Sequence, residues 1–187
     1  MLKNVHLFYP VIIMAFIFFS SCSEDPSGPD LGGGDVSITV TGDIEAELSG
    51  MADFDGMQSG QNVHTWEISF NDFNPQTYTM LFLKSEEEEF PQPAEGAYSI
   101  GDLNDEFNAF YLHVEGNFDT TEFTTFDLCA TGDAGGTLTL ENSKEDEVTG
   151  RFDYRALHED FDESGACRVL GSVRVRGEFK ATPRNPL

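Results

Sequence analysis

The sequence predicts an all-β protein, an antiparallel β-sandwich or β-barrel of about 8–10 short strands. Three observations lead there. Apolar residues recur with a period of two rather than 3.6 through most of the chain. Clusters of Gly, Pro, Asn and Asp punctuate those runs at short intervals, as turns require. Beyond the N-terminal leader, no stretch carries the apolar stripe of an amphipathic helix.

The strands follow in order. In "VSITV" (36–40), Val36, Ile38 and Val40 alternate with Ser37 and Thr39. "DIEAELSG" (43–50) sets Ile44, Ala46 and Leu48 against Glu45 and Glu47. "VHTWEISF" (63–70) sets His64, Trp66, Ile68 and Phe70 against Thr65, Glu67 and Ser69. Such alternation marks strands with one wet face. "TYTMLFLK" (77–84) and "FNAFYLHVE" (107–115) are apolar on both faces, which suits central strands covered on two sides. "AYSI" (97–100), "GTLTLEN" (136–142) and "DEVTGRFDYRAL" (146–157) are further strands. "CRVLGSVRVRGEFKA" (167–181) closes the fold, with Val169, Val173, Val175 and Phe179 on one face and Arg168, Arg174, Arg176 and Lys180 on the other. "SEEEEFPQP" (85–93) concentrates like charge and reads as a solvated loop.

The N-terminus has a different composition. "MLKNVHLFYPVIIMAFIFFSSC" opens with Lys3, runs apolar from Val11 to Phe19 and passes through Ser20 and Ser21 to Cys22. A membrane-crossing helix needs about 20 apolar residues, so this shorter run reads as the core of a secretory signal peptide. The stretch resembles the lipobox of bacterial lipoproteins. That resemblance implies removal of residues 1–21 and acylation of Cys22 by palmitate-type chains, which tie the protein to a membrane. Residues 22–34, "CSEDPSGPDLGGG", are too polar and glycine-rich to bury a core and read as a flexible tether. Residues 35–182 form a single expected β-domain. Glu24 and Asp25 resemble the acidic export signal of Bacteroidetes-type surface lipoproteins, which implies the outer face of the outer membrane.

The whole chain of 187 residues carries 34 acids against 10 bases, a formal charge of −24. From Cys22 to Ser143 there are 25 acids and one base, Lys84. Such a field repels nucleic acid and anionic lipid, so neither is an expected partner. A solvated surface, adaptation to high salt and divalent-cation binding each account for the acidity. With Cys22 lipidated, Cys129 and Cys167 remain as an even pair in an oxidising compartment, and a disulfide between them is expected.

"EGAYSI" (95–100), "GGTLTLENSKEDEVTGRFDYRAL" (135–157) and "GSVRVRGEF" (171–179) resemble the C-terminal half of small Bacteroidetes-type outer-membrane lipoproteins of unknown function. The resemblance implies an all-β fold and outer-membrane anchoring. It brings no catalytic residue.

Candidate sites are sparse. Asp160, Asp162 and Ser164 alternate before Gly165, like the opening of an EF-hand calcium loop, but the twelfth position is Gly171 rather than a bidentate Glu. A polar hairpin loop is the plainer reading, and calcium the one cofactor the sequence suggests. Arg151 and Arg155 share one strand parity, and Arg174 and Arg176 another. Together they outline an anion or sugar-acid face, or else pair with neighbouring carboxylates such as Glu45 and Glu47. Trp66, Tyr78 and Tyr111 are candidate platforms for a glycan. His64, His113 and His158 lack the spacing of a zinc pair, no G-x-S-x-G elbow occurs, and no Gly-rich loop opens a helix. The expectation is a non-enzymatic binding or structural module at the cell surface, with a glycan or protein partner. A calcium-stabilised or carbohydrate-binding accessory module is the alternative, and a surface hydrolase the third choice.

Overall fold

The computed structural model describes residues 34–58, 64–71, 78–86, 92–101, 105–116 and 119–184. The expected signal peptide, Cys22 and all of the tether except Gly34 lie outside those residues. Ten strands follow in chain order: β1 (Gly34–Gly42), β2 (Ala46–Gln58), β3 (His64–Asn71), β4 (Tyr78–Glu86), β5 (Gly96–Ile100), β6 (Asn108–Glu115), β7 (Asp119–Thr124), β8 (Gly135–Ser143), β9 (Val148–Phe161) and β10 (Cys167–Pro183). The all-β expectation holds.

Pairing runs β1–β2–β3–β4–β6–β7–β9–β10 and returns to β1, so the sheet closes on itself like a barrel. β7 meets β9 through one pair, Thr124 and Leu157. From Val148 to Arg155, β9 pairs with β8, which pairs with β5. An isolated bridge from Ile100 to Phe107 ties the end of β5 to the residue before β6. All strand pairs are antiparallel except the end of β10, where Thr182 and Pro183 run parallel to Asp53 and Phe54 of β2. Arg184 follows immediately. Its guanidinium bridges Asp53 at 2.7 Å and Glu67 at 2.5 Å and also donates to Ser69, fastening the C-terminal strand across β2 and β3.

The interior is filled by rings that touch across the closed sheet. Phe70 of β3 lies 5.6 Å from Phe152 of β9 and 5.2 Å from Phe179 of β10, centroid to centroid. Phe82 of β4 lies 5.2 Å from Phe152 and 5.7 Å from Tyr154. Opposite walls therefore press together as the two layers of a sandwich do. Glycines on the inward parity make the room. A Cβ on Gly177 would sit 2.5 Å from the Phe152 ring and 2.5 Å from the Ser37 carbonyl oxygen. One on Gly150 would sit 3.0 Å from the Phe179 ring, and one on Gly50 would sit 2.4 Å from the Tyr78 hydroxyl.

Two strand segments depart from the sequence reading. β2 continues to Gln58 because Ala52 and Phe54 keep the inward parity past Gly50, a small residue that hides the alternation. β7 was not expected, since "DTTEFT" buries only Phe123; its ladder with β6, from Phe110–Thr124 to Glu115–Asp119, supplies the order that its composition lacks.

Three buried tyrosines share this core. Burial pushes the Tyr111 hydroxyl above its ordinary pKa, with Tyr78 adding to the effect, and Tyr111 lies 3.0 Å from His113 Nδ1. Burial raises Tyr154 well above its ordinary value too, yet its hydroxyl has no hydrogen-bond partner among the described residues. A buried hydroxyl without a partner carries its desolvation cost uncompensated. Tyr154→Phe should therefore raise unfolding stability by about 1 kcal/mol in urea titration. Gly177→Ala should lower it by about 1–3 kcal/mol, because the added methyl must displace a core ring or backbone.

Candidate functional site

The β9–β10 hairpin ends in a stapled corner. The turn at its tip is organised by Asp162, whose Oδ1 accepts hydrogen bonds from the Ser164 amide (2.9 Å), the Ser164 hydroxyl (2.5 Å) and the Ala166 amide (3.1 Å). Its Oδ2 pairs with Arg168 at 2.5 Å. Gly165, at φ +80°, supplies the left-handed residue the turn needs. The loop between β7 and β8 uses the same device. There Asp127 accepts from the amide and hydroxyl of Thr131, each at 2.8 Å, and from the Gly132 amide at 2.6 Å. Both carboxyls are held below the ordinary Asp range. For Asp162 the Ser164 hydroxyl leads, followed by the Ala166 amide. For Asp127 burial pushes the other way, and the Thr131 and Gly132 bonds outweigh it.

Two connections lock the loop to the hairpin. Cys129 and Cys167 form the expected disulfide, with Cα atoms 5.3 Å apart. Glu159 of β9 accepts the Leu128 amide at 2.9 Å and the Cys129 amide at 2.8 Å, one on each carboxylate oxygen. Cys129, Glu159 and Cys167 thus converge like metal ligands. In the oxidised protein they are not a metal set, since the sulfurs are bonded to one another and both Glu159 oxygens are engaged by amides.

This corner collects the large exposed apolar side chains. Among the described residues they are Leu128 (57% exposed), Phe161 (52%), Val169 (42%) and Leu170 (57%). Phe161 stands opposite Cys167 in the ladder, and Val169 opposite Glu159. Leu128 is bound to Glu159 through its amide and precedes the disulfide cysteine. Phe161 and Val169 thus stand beside Cys167 on one face of the hairpin, with Leu128 next to its disulfide partner and Leu170 next to Val169. Val169 corrects the sequence reading, which placed it on the inward face with Val173, Val175 and Phe179. The β9–β10 register shifts between Val169 and Gly171, and this irregularity turns Val169 and Leu170 outward.

The other candidate residues fall elsewhere. The calcium-loop candidates Asp160, Asp162 and Ser164 are engaged in hydrogen bonds of the hairpin tip. Asp162 is occupied by the turn and Arg168, and Asp160 Oδ1 accepts the Phe161 amide at 2.8 Å. Trp66 is 4% exposed between Phe54 and Phe107, and Tyr78 and Tyr111 are fully buried, so none offers a ring to a glycan. The arginines do share an outward face. Arg174 grips Asp153 with two bonds of 2.7 Å, and Arg176 approaches the same carboxylate at 3.4 Å. Arg151 pairs with Glu141 at 2.8 Å, and Arg155 donates to the Ser172 hydroxyl at 3.2 Å. The neutralising acids are thus Asp153 and Glu141 rather than Glu45 and Glu47. Arg174 holds the Asp153 carboxyl below its usual range against the opposing effect of burial, with Arg176 adding to it. An open groove of about 530 Å³ runs across this face, lined by Ser37, Thr39, Thr137 and Thr139 beside Arg151 and Arg176.

Sequence reasoning found the disulfide and the arginine face. It missed Glu159, Leu128, Phe161 and Leu170. The adjacent apolar pair Val169–Leu170, breaking an otherwise strict alternation, was the one available signal. No protein-family model, curated protein or solved structure matches this chain.

Because the folded Asp162 carboxyl titrates below its unfolded value of about pH 4, its stabilisation is complete above that pH and is lost as pH falls through the folded value. The melting-temperature difference between the wild type and Asp162→Asn should be largest near neutrality and shrink in stronger acid. Replacing both Cys129 and Cys167 by Ser should cost about 4 kcal/mol in urea titration, from the closure of a loop this long. The two residues are 38 apart in sequence, and a non-reducing peptide map should link them.

Proposed function

We propose that this chain is a lipid-anchored cell-envelope domain whose role is contact with another macromolecule rather than catalysis. The observation that carries the reading is the gathering of the exposed large apolar side chains at one corner. Isolated apolar residues on a surface need no explanation, whereas a cluster held by a disulfide and paired amides has the character of an interaction site. Preorganisation strengthens the argument, because a rigid surface loses little conformational entropy on binding. Anchoring is inferred from the lipobox-like run ending in Cys22, and placement on the outer face of the outer membrane from Glu24 and Asp25.

A second reading, a carbohydrate-binding accessory module, draws on the hydroxyl-lined groove beside Arg151 and Arg176. It no longer draws on Trp66. Neutral and uronic-acid oligosaccharides titrated into the protein would support it by giving saturable heat that Arg176→Gln removes.

Two measurements test the main reading. Mass spectrometry of the mature N-terminus should find acylated Cys22, and Cys22→Ser should release the protein from the membrane fraction; an unmodified Cys22 defeats the anchor. A photo-crosslinking residue at Phe161, in the intact protein on cells, should give a discrete adduct that Leu128→Ser with Leu170→Ser abolishes. The same label at Glu145, in the turn at the far end of β9, should give none. Equal labelling at both positions, or none at Phe161, defeats the contact reading.

A further inference from the structure

The stapled corner specifies the chemistry of what it touches, and we infer that it docks a cationic, amphipathic polypeptide segment. This rests on the contact reading above and adds the sign and shape of the partner. Beside the apolar side chains stand the carboxylate of Glu159, opposite Val169 in the ladder, and those of Asp127 and Asp162 in the two adjoining turns, with Glu163 exposed in the second turn. One base, Arg168, belongs to the same hairpin tip, and it is tied to Asp162 at 2.5 Å. The centre is thus hydrophobic and its frame negative.

That combination discriminates between occupants. A second copy of this chain, at a formal −24, meets the frame with like charge. An anionic lipid surface meets the same repulsion. A segment presenting Leu or Phe flanked by Lys or Arg satisfies both parts. Its apolar side chains cover Phe161 and Leu170, and the aliphatic stems of its bases extend that cover while their charged ends reach the carboxylates. Asp127 and Glu159 contribute charge without moving, because backbone amides fix their positions. The arrangement is therefore a rigid anionic socket rather than a flexible acidic loop.

The test uses the intact protein and two labelled synthetic peptides, one an amphipathic helix of Leu and Lys and the other its Leu and Glu counterpart, followed by fluorescence anisotropy. The Lys peptide should bind with an affinity that falls as salt rises. Phe161→Ser with Leu170→Ser should weaken it about tenfold or more, as loss of interface anchors does. Glu163→Gln, in the tip turn, should weaken it and flatten the salt dependence. Glu145→Gln, which removes the same charge in the turn at the far end of β9, should change nothing.

The inference is overturned if the apolar substitutions leave Lys-peptide binding intact, since attraction would then be diffuse. It is equally overturned if the Glu peptide binds as well. A dimer that Phe161→Ser dissociates in sedimentation would assign the corner to a second copy, and flotation of the protein lacking its lipid (Cys22→Ser) with zwitterionic vesicles would assign it to membrane. If crosslinking at Phe161 succeeds while the Lys peptide does not bind, the partner's charge is wrong and the contact reading stands.

Discussion

Ring against glycine is the contact on which the closed sheet depends. A sheet closes only if its interior is filled without voids or overlaps. Here Phe152 and Phe179 occupy space that a Cβ at Gly177 or Gly150 would invade. Phe70 and Phe82, from the opposite wall, complete the layer. Phe152, Phe179 and Tyr78 are each matched by an absent side chain on another strand. The outward parity then has no packing duty and is free to carry charge, which is where Arg151, Asp153, Arg174 and Arg176 lie.

The same strands produce the corner. β9 and β10 are the longest strands, and beyond Ala156 and Val173 they continue as a hairpin toward the turn at Asp162. There the register shift turns Val169 and Leu170 to solvent, and Phe161 lies near the exposed end of the hairpin. Exposed backbone of this kind tends to fray. The disulfide, the two Asp-centred turns and Glu159 replace the missing core with covalent and hydrogen-bonded restraint. Rigidity at this site is local in origin.

Much of the fold was legible because alternation survives wherever one face is buried. β1, β3 and the body of β10 are plain in Val36–Ile38–Val40, Trp66–Ile68–Phe70 and Val173–Val175. The reading failed where tertiary context overrides local pattern. Gly50 interrupts β2 in sequence but serves a tyrosine in space. β7 owes its order to β6. The site was less legible still, for geometric reasons. Whether Val169 faces in or out depends on one register shift, and whether Asp162 binds an ion or folds a turn depends on amides two and four residues away. The disulfide was readable because pairing two cysteines requires only counting and compartment.

The first described strand and the last are neighbours: Asp35 to Gly42 pair with Val173 to Lys180. The wall of the sheet therefore has a gap until nearly the whole polypeptide is available. A nascent chain cannot seal its interior early and stays open along this edge until its last described strand is available. Closure of the sheet is thus a late and non-local event, with Arg184 fastening the last described strand to β2 and β3.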